Sequence, residues 1–246
     1  IKSVKIDDDH SLKNLKGEVM IIENVIDKAN LLGKFDNENY FTYTIKELDG
    51  KKVTTIFSDI AKPFVKKFKF IKGFEDGKLD YTSTKINKNL SNSELRIYNF
   101  KLQNMPALTK LLSLASLQGI ADLATGQGIR FNEFEMLFEN TKNLITINEI
   151  YALGPAISIL MEGYVEKNKL VSLRGTLVPA TTINKTIAKI PVIGEILVGD
   201  NVGEGVFGVS FKIKGPPGKL DTRVNPIKTL TPRFITRTLK KIKNSN

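Results

Sequence analysis

The sequence predicts a mainly β protein with antiparallel strands and a few short helices. Apolar and polar residues alternate from Phe41 through Tyr43 to Ile45, which is the period of a strand with one apolar face. The pairs Asp49-Gly50 and Asp76-Gly77 stand between such runs, and glycine accepts the positive φ that tight turns need. Because the gaps between runs are too short for helical crossovers, we expect the strands to pair in antiparallel fashion.

The same signals predict strands along most of the chain. Residues 144–150 and 170–177 are rich in Ile, Val, Leu and Thr, which favours β structure. No fixed-period repeat is present, so the pattern does not indicate a regular solenoid. The other alternating apolar residues are Tyr98, Phe100 and Leu102, then Ile157, Ile159 and Met161, and finally Phe207, Val209, Phe211 and Ile213.

Helical signals are few. Asn104 and Pro106 predict a helix start, because Asn caps a helix well and the φ of Pro is preset for the first turn. The segment near residues 106–118 is apolar almost all round, so a helix there is expected to be buried or to lie on an apolar surface. Residues 61–70 and 181–189 are expected to form short helices.

The composition excludes several classes of protein. The chain has 246 residues, of which 41% are hydrophobic and 26% charged, so it is not wholly disordered, collagen-like or coiled coil. It has no Cys and a single His, which excludes disulfides, thiolate zinc sites and His-rich metal sites. No uncharged stretch reaches the roughly 18 residues of a membrane-spanning helix. Because the chain begins at Ile1 without a signal segment, we expect it to be a piece of a longer protein.

Two motifs suggest chemistry, and each has a simpler interpretation. Residues 203–208 match a dinucleotide fingerprint, but a strand follows instead of the helix that meets the pyrophosphate, so a turn or bulge is favoured. The run from Asp7 to His10 could hold a hard cation or be a solvated loop, and it lacks the pattern of a calcium loop. Since no acid, base or nucleophile is recognisably placed, the sequence predicts neither an enzyme nor a cofactor or metal site.

The net charge of +11 is concentrated at the C-terminus, where residues 212–246 carry +9. This tail could bind nucleic acid, bind an anionic membrane surface, or be a solvated end. Nucleic-acid binding usually pairs basic residues with aromatics, and Phe234 is the only aromatic residue after Phe211. A basic amphipathic helix suits a membrane surface better. The candidate membrane-surface residues are Arg237, Leu239, Lys240, Lys241 and Lys243.

The alternating strands allow two architectures. Their apolar sides could form the core of a closed barrel or sandwich. A sheet whose apolar face is partly uncovered would instead present a long groove lined by Ile, Val, Leu and Phe. Such a groove could solvate acyl chains, because removing apolar surface from water stabilises by about 25 cal/mol per Å².

A series of short motifs in the second half of the chain follows a characteristic order. The motifs are Met105-Pro106, residues 111–119, residues 126–131, Gly154-Pro155, residues 175–179, 190–194 and 203–209, Val224-Asn225-Pro226 and Leu230-Thr231-Pro232. In order and spacing, residues 92–237 resemble the C-terminal region of AsmA-like bacterial envelope proteins, the bridge-like lipid-transfer group that includes YhdP and TamB.

The resemblance implies a long, curved antiparallel sheet that forms an open apolar groove. It divides the chain into a β-rich part of the groove at residues 1–91, the AsmA-like region at 92–232 and a basic tail at 233–246. Such proteins are typically anchored in the inner membrane by an N-terminal segment, which this chain would lack, and extend across the periplasm. The segment 108–117 could plug or line the mouth of the groove, or cap the sheet as a structural helix.

We therefore expect passive phospholipid transfer between the inner and outer membranes, with an anionic membrane surface as a partner and no nucleic acid. The first alternative is an envelope assembly factor that binds an outer-membrane protein strand by edge addition. The second is a nucleic-acid-binding module acting through the basic tail. The expected lipid-lining residues are Phe41, Tyr43, Ile45, Ile157, Ile159, Met161, Phe207, Val209 and Phe211.

Overall fold

The computed structural model describes residues 1–35, 39–65, 73–104, 106–114, 126–179 and 208–227. These ranges contain thirteen strands and two short helices. The strands of the first half are β1 (Ser3–Lys5), β2 (Ser11–Ile22), β3 (Val25–Phe35), β4 (Tyr40–Leu48), β5 (Lys51–Ser58), β6 (Phe74–Lys85) and β7 (Ser91–Leu102). The second half contributes β8 (Ile129–Asn140), β9 (Leu144–Leu153), β10 (Ile157–Glu166), β11 (Leu170–Pro179), β12 (Gly208–Gly215) and β13 (Asp221–Ile227). The helices are α1 (Lys62–Val65) and α2 (Pro106–Leu114).

The strands form one curved antiparallel sheet that does not close into a barrel. Each strand pairs with its neighbours in the sequence, so the order in the sheet runs from β1 to β13 without a crossover. The connections β2–β3, β4–β5, β6–β7, β8–β9, β10–β11 and β12–β13 lie at one end of the sheet, which we call the hairpin end. The predicted mainly β fold with an open sheet and a few short helices is confirmed.

Both helices follow strands that end at the other end of the sheet, which we call the helix end, and both pack on the apolar face. Leu111 and Leu112 of α2 are buried in the main apolar cluster, as are Ala61 and Val65 at α1. The helix α2 follows β7 yet reaches β13, where Lys110 Nζ lies 3.9 Å from Asp221 Oδ1. Because α2 contacts both halves of the sheet, it helps to hold the curvature, and the buried helix expected near residues 106–118 is confirmed for Pro106–Leu114.

Aromatic rings fill the core beneath the helices. Phe100 stacks between Phe74 and Phe131, with both centroid distances at 5.3 Å. On the other side of the cluster, Phe64 of α1 stacks on Phe41 at 5.9 Å. Stacked and edge-on ring pairs add about 0.5–1.5 kcal/mol beyond the area that they bury. The aromatic residues therefore fix the helices against the sheet.

The opposite face of the sheet is mostly polar. Thr44 Oγ1 and Thr55 Oγ1 are 2.6 Å apart across β4 and β5, and Arg174 Nε donates to Glu162 Oε1 at 2.9 Å across β11 and β10. Around Tyr151 this face is buried as well, because that ring is fully inaccessible to solvent. Apolar residues thus concentrate on one face, as the alternation predicts.

One predicted turn is wrong. Asp76 and Gly77 lie inside β6, and the register with β7 passes over Gly77 and Asn99. Asp76, Gly77 and Asn99 all have positive φ, at 63°, 88° and 53°. The pair therefore lies within a strand rather than at a hairpin turn. The register is the same on both sides of it, but the alternation of both strands is reversed there. Phe100 consequently packs in the core, whereas Tyr98 lies on the opposite face beside Arg96, against the predicted alternation.

Several sequence predictions fall on residues outside the described ranges. These are the helix at 181–189, the ends of the helices predicted at 61–70 and 106–118, the glycines at 203–207, Phe207, and the basic tail with Arg237, Leu239, Lys240, Lys241 and Lys243.

The two-residue hairpin turns lead to a first prediction. The turn Glu23-Asn24 has φ values of 50° and 60°, and Asp49-Gly50, which confirms the predicted hairpin turn, has 50° and 70°. Two positive φ values define a turn that favours Asn and Gly, and Glu pays a steric cost there. Glu23→Asn is therefore expected to raise the free energy of unfolding by about 0.5–1 kcal/mol in urea denaturation. Gly50→Ala is the opposite control and should lower the free energy of unfolding. If Glu23→Asn does not raise the free energy of unfolding, the turn geometry described here is contradicted.

Candidate functional site

The apolar face of the sheet carries a row of uncharged residues that crosses twelve strands, from β2 to β13. Each member is the registered partner of the next on the neighbouring strand, and none is charged. We call it the central row. Its members are Gly17, Leu31, Tyr43, Ile56, Tyr81, Leu95, Met136, Ile150, Met161, Gly175, Phe211 and Val224.

A second row lies two residues closer to the helix end and is almost fully buried. Leu79 is 4% exposed, Ile97 5% and Leu177 0%, and all three belong to the cluster that contains α1 and α2. Phe41 and Val209 lie in the same row, through partner pairs that run across β4 to β12. This helix-side row forms the core rather than an accessible surface.

The middle of the central row remains partly open to solvent. Ile56, Tyr81, Leu95 and Met136 are half-buried on the adjacent strands β5 to β8. Met161 is half-buried on β10, beyond Ile150, which is 6% exposed. Tyr43 is also half-buried, and its burial raises the pKa of the phenol. Half-buried apolar side chains that adjoin one another over neighbouring strands are what a groove for a long apolar ligand requires.

Polar groups begin one step farther toward the hairpin end. Ser93 Oγ donates to Ser83 Oγ at 2.9 Å, and Tyr81 Oη lies 3.3 Å from Ser93 Oγ. Thr54 is the registered partner of Ser83 on β5. Along β6 and β7 the face therefore changes from buried apolar residues, through half-buried ones, to hydroxyl groups that bond to one another.

The structure brings the described members of the predicted lining set onto one face. Tyr43, Met161 and Phe211 belong to the central row, and the others flank it. Their exposure differs, because Tyr43 and Met161 are half-buried whereas the remaining members pack in the core or close to it. The buried members are Phe41 at 8%, Ile45 at 8%, Ile157 at 0%, Ile159 at 8%, Val209 at 2% and Phe211 at 4% exposure.

Sequence reasoning missed the central residues of the groove. Ile56, Leu95 and Met136 sit in segments where polar residues interrupt the alternation, as in the Ser-Glu-Leu-Arg run around Leu95. Their strands become recognisable once the register aligns them with Tyr43 and Met161. These residues are thus identified by their registered partners on adjacent strands, and not by the residues two positions away on the same strand.

The candidate cation motif orders a turn between β1 and β2. Asp7, Asp9 and His10 each offer one ligand atom within 4.8 Å of the others. Asp7 Oδ1 accepts the backbone N–H of Asp9 and of His10, both at 2.8 Å, and lies 2.8 Å from His10 Nδ1. Burial alone would raise the pKa of Asp7, but these hydrogen bonds outweigh it and lower the pKa. The local bonds account for the position of the Asp7 side chain.

The fold and the central row define an open-sheet protein with one continuous apolar face. No helix in the ranges that the structure describes is long and apolar enough to cross a membrane. Comparison with known proteins finds no matching family model, no matching curated protein and no matching solved structure. The likeness to AsmA-like proteins therefore stays a prediction, and the function is argued from the geometry of the sheet.

Proposed function

We propose that this chain forms part of a passive phospholipid conduit between the inner and outer membranes of a Gram-negative-type envelope. The observation that carries the proposal is the central row, an uncharged band over twelve strands whose middle is half-open to solvent. An open sheet with a long apolar band needs a cover, and acyl chains have the matching chemistry.

The mechanism is solvation of the acyl chains without a chemical step. The chains lie along the central row while the headgroup stays in water at the open side of the sheet. Each Å² of apolar surface removed from water stabilises the complex by about 25 cal/mol, so shallow, repeated contacts suffice to hold a lipid yet let it slide. The protein acts as a path rather than an enzyme, and the direction of flow is set elsewhere.

The cellular setting in the proposal comes from the resemblance of residues 92–237 to AsmA-like proteins. In this setting the chain lies in the periplasm, is joined to an inner-membrane anchor and supports outer-membrane homeostasis. The basic residues Arg237, Lys240, Lys241 and Lys243, with Leu239, would rest on an anionic membrane surface.

Native mass spectrometry of protein purified from bacteria without detergent tests the proposal. We expect phospholipid to remain bound, and a clean apo mass would count against lipid transfer. A photo-reactive amino acid at Leu95 should give a phospholipid adduct in cells. The same group at Thr82, on the opposite face of the neighbouring strand, is the matched control and should give none.

A second candidate function, strand addition by an outer-membrane protein, is favoured by the outer edge of β2. The strand β1 registers only with Ser11–Lys13 of β2, and no described strand covers the outer edge of residues 16–22. Met20, Ile21 and Ile22 are exposed there, and an added strand would cover these apolar side chains. Photo-crosslinking from Ile21 to a purified, unfolded outer-membrane protein tests this; Leu48, exposed at the end of β4, is the control position.

A further inference from the structure

A basic cavity opens at the hairpin end of the apolar face, beyond the hydroxyl groups of Ser83 and Ser93. Its volume is about 390 Å³, and none of its lining residues is acidic. Five lysines surround it, and we call it the lysine pocket. They are Lys52, Lys85, Lys88, Lys142 and Lys167.

Three hairpin connections build the lysine pocket, and hydrogen bonds hold their backbones in place. In the β8–β9 turn, Thr141 N donates to Leu144 O at 2.8 Å. Lys167 of the β10–β11 turn crosses to that turn, because its Nζ donates to Thr141 O at 2.8 Å. In the β6–β7 connection, Ile86 N donates to Leu90 O at 2.9 Å. These hydrogen bonds fix the backbone of the pocket wall.

The charge of the pocket is only partly compensated. Lys52 Nζ donates to Asp27 Oδ1 at 2.8 Å, and this hydrogen bond lowers the pKa of Asp27. Lys85, Lys88 and Lys142 make no ion pair with any carboxylate of the described residues. Several ammonium groups around one cavity create a positive potential that attracts an anion, and phosphate oxygens accept hydrogen bonds from them readily.

The pocket is continuous with the apolar groove because its inner members share the face of the central row. Thr54 and Lys52 lie two and four residues before Ile56 on β5, and Ser83 and Lys85 lie two and four residues after Tyr81 on β6. Residues two apart along a strand point to the same face, about 7 Å from one another. The Cα atoms of Lys52 and Lys85 therefore lie about 14 Å along the strands from the central row.

We propose that the lysine pocket binds the phosphate group of an anionic amphiphile whose hydrocarbon lies on the central row. The inference rests on the proposed lipid function and deepens it, since it names the substrate class and fixes the orientation of the molecule. The headgroup lies at the hairpin end, and the chains reach from it onto the central row. A free phosphate ion shares the recognition chemistry, so the test separates the two sources.

The test is isothermal titration calorimetry of the full chain with three ligands: dihexanoylphosphatidylglycerol, dihexanoylglycerol and inorganic phosphate. The variant Lys85→Gln/Lys142→Gln removes two exposed charges from the pocket. The control Lys46→Gln/Lys212→Gln removes two exposed charges from the opposite face of the sheet. All four side chains are exposed, so the substitutions are expected to leave the fold intact.

We expect wild-type protein to bind the phosphatidylglycerol about tenfold more tightly than the diacylglycerol, as lost charge-assisted hydrogen bonds typically cost that much. The pocket variant should lose this advantage and bind the diacylglycerol unchanged, whereas the control should behave as wild type. The advantage should also shrink as salt is added.

Three results would overturn parts of the argument separately. Equal affinity for the two lipids, or no effect of the pocket variant, overturns the phosphate site but leaves the groove. Binding of neither lipid overturns the proposed function. If inorganic phosphate alone binds and the pocket variant abolishes it, the phosphate chemistry stands and the lipid as its source is overturned.

Discussion

Replacing Phe100 by alanine is expected to lower the free energy of unfolding by about 3–5 kcal/mol, as large aromatic truncations in packed cores do. Phe100 is 3% exposed and lies between the rings of Phe74 and Phe131, with Phe134 edge-on at 6.4 Å. The substitution leaves a cavity and removes three ring contacts at once. Equilibrium denaturation in urea, followed by circular dichroism, measures the change.

Two controls separate this core effect from a general sensitivity of the sheet. Phe100→Leu keeps an apolar side chain at the position and should cost clearly less than Phe100→Ala. Leu48→Ala truncates an apolar side chain that is 46% exposed at the end of β4, and we expect a change within about 0.5 kcal/mol. A loss below about 1 kcal/mol for Phe100→Ala would contradict the packing described around this ring.

Replacing Met161 by glutamate is expected to reduce the amount of bound phospholipid at least about tenfold, because a carboxylate loses its hydration when hydrocarbon covers it. Met161 is half-buried in the central row, between its registered partners Ile150 and Gly175. The Met161 side chain already lies over Gly175, and glutamate is about as long as methionine, so the fold is expected to tolerate it. The measurement is the ratio of lipid-bound to apo protein in native mass spectrometry.

Ser172→Glu is the matched control for Met161→Glu. Ser172 lies on the neighbouring strand β11 but on the opposite face, where its registered partner Lys214 accommodates a negative charge. This variant should retain the lipid occupancy of the wild type. If Met161→Glu keeps full occupancy while its melting temperature shows that it is folded, the central row is not the lipid path.

Alternation along single strands was enough to predict the β class, the antiparallel pairing and the strands around Tyr43, Ile159 and Phe211. It failed at Asp76-Gly77, since positive-φ residues of the same kind occur inside a strand as well as in a hairpin turn. It also could not identify half-buried positions on inner strands, such as Leu95. A period of two residues describes a single strand and carries no information about its register with the next strand. The lysine pocket was missed for a related reason: its lysines come from separate polar connections that meet only in the folded sheet.

The unbroken order of strands from β1 to β13 has a consequence for how such a protein lengthens. Every strand of a meander pairs chiefly with its two sequence neighbours. One more hairpin therefore adds its own strand pairs and leaves the existing pairs unchanged. Duplication of a hairpin would widen the sheet by about 10 Å, given the usual spacing between strands. A molecular ruler of this kind grows in fixed increments, and its reach follows from the number of hairpins that the gene encodes.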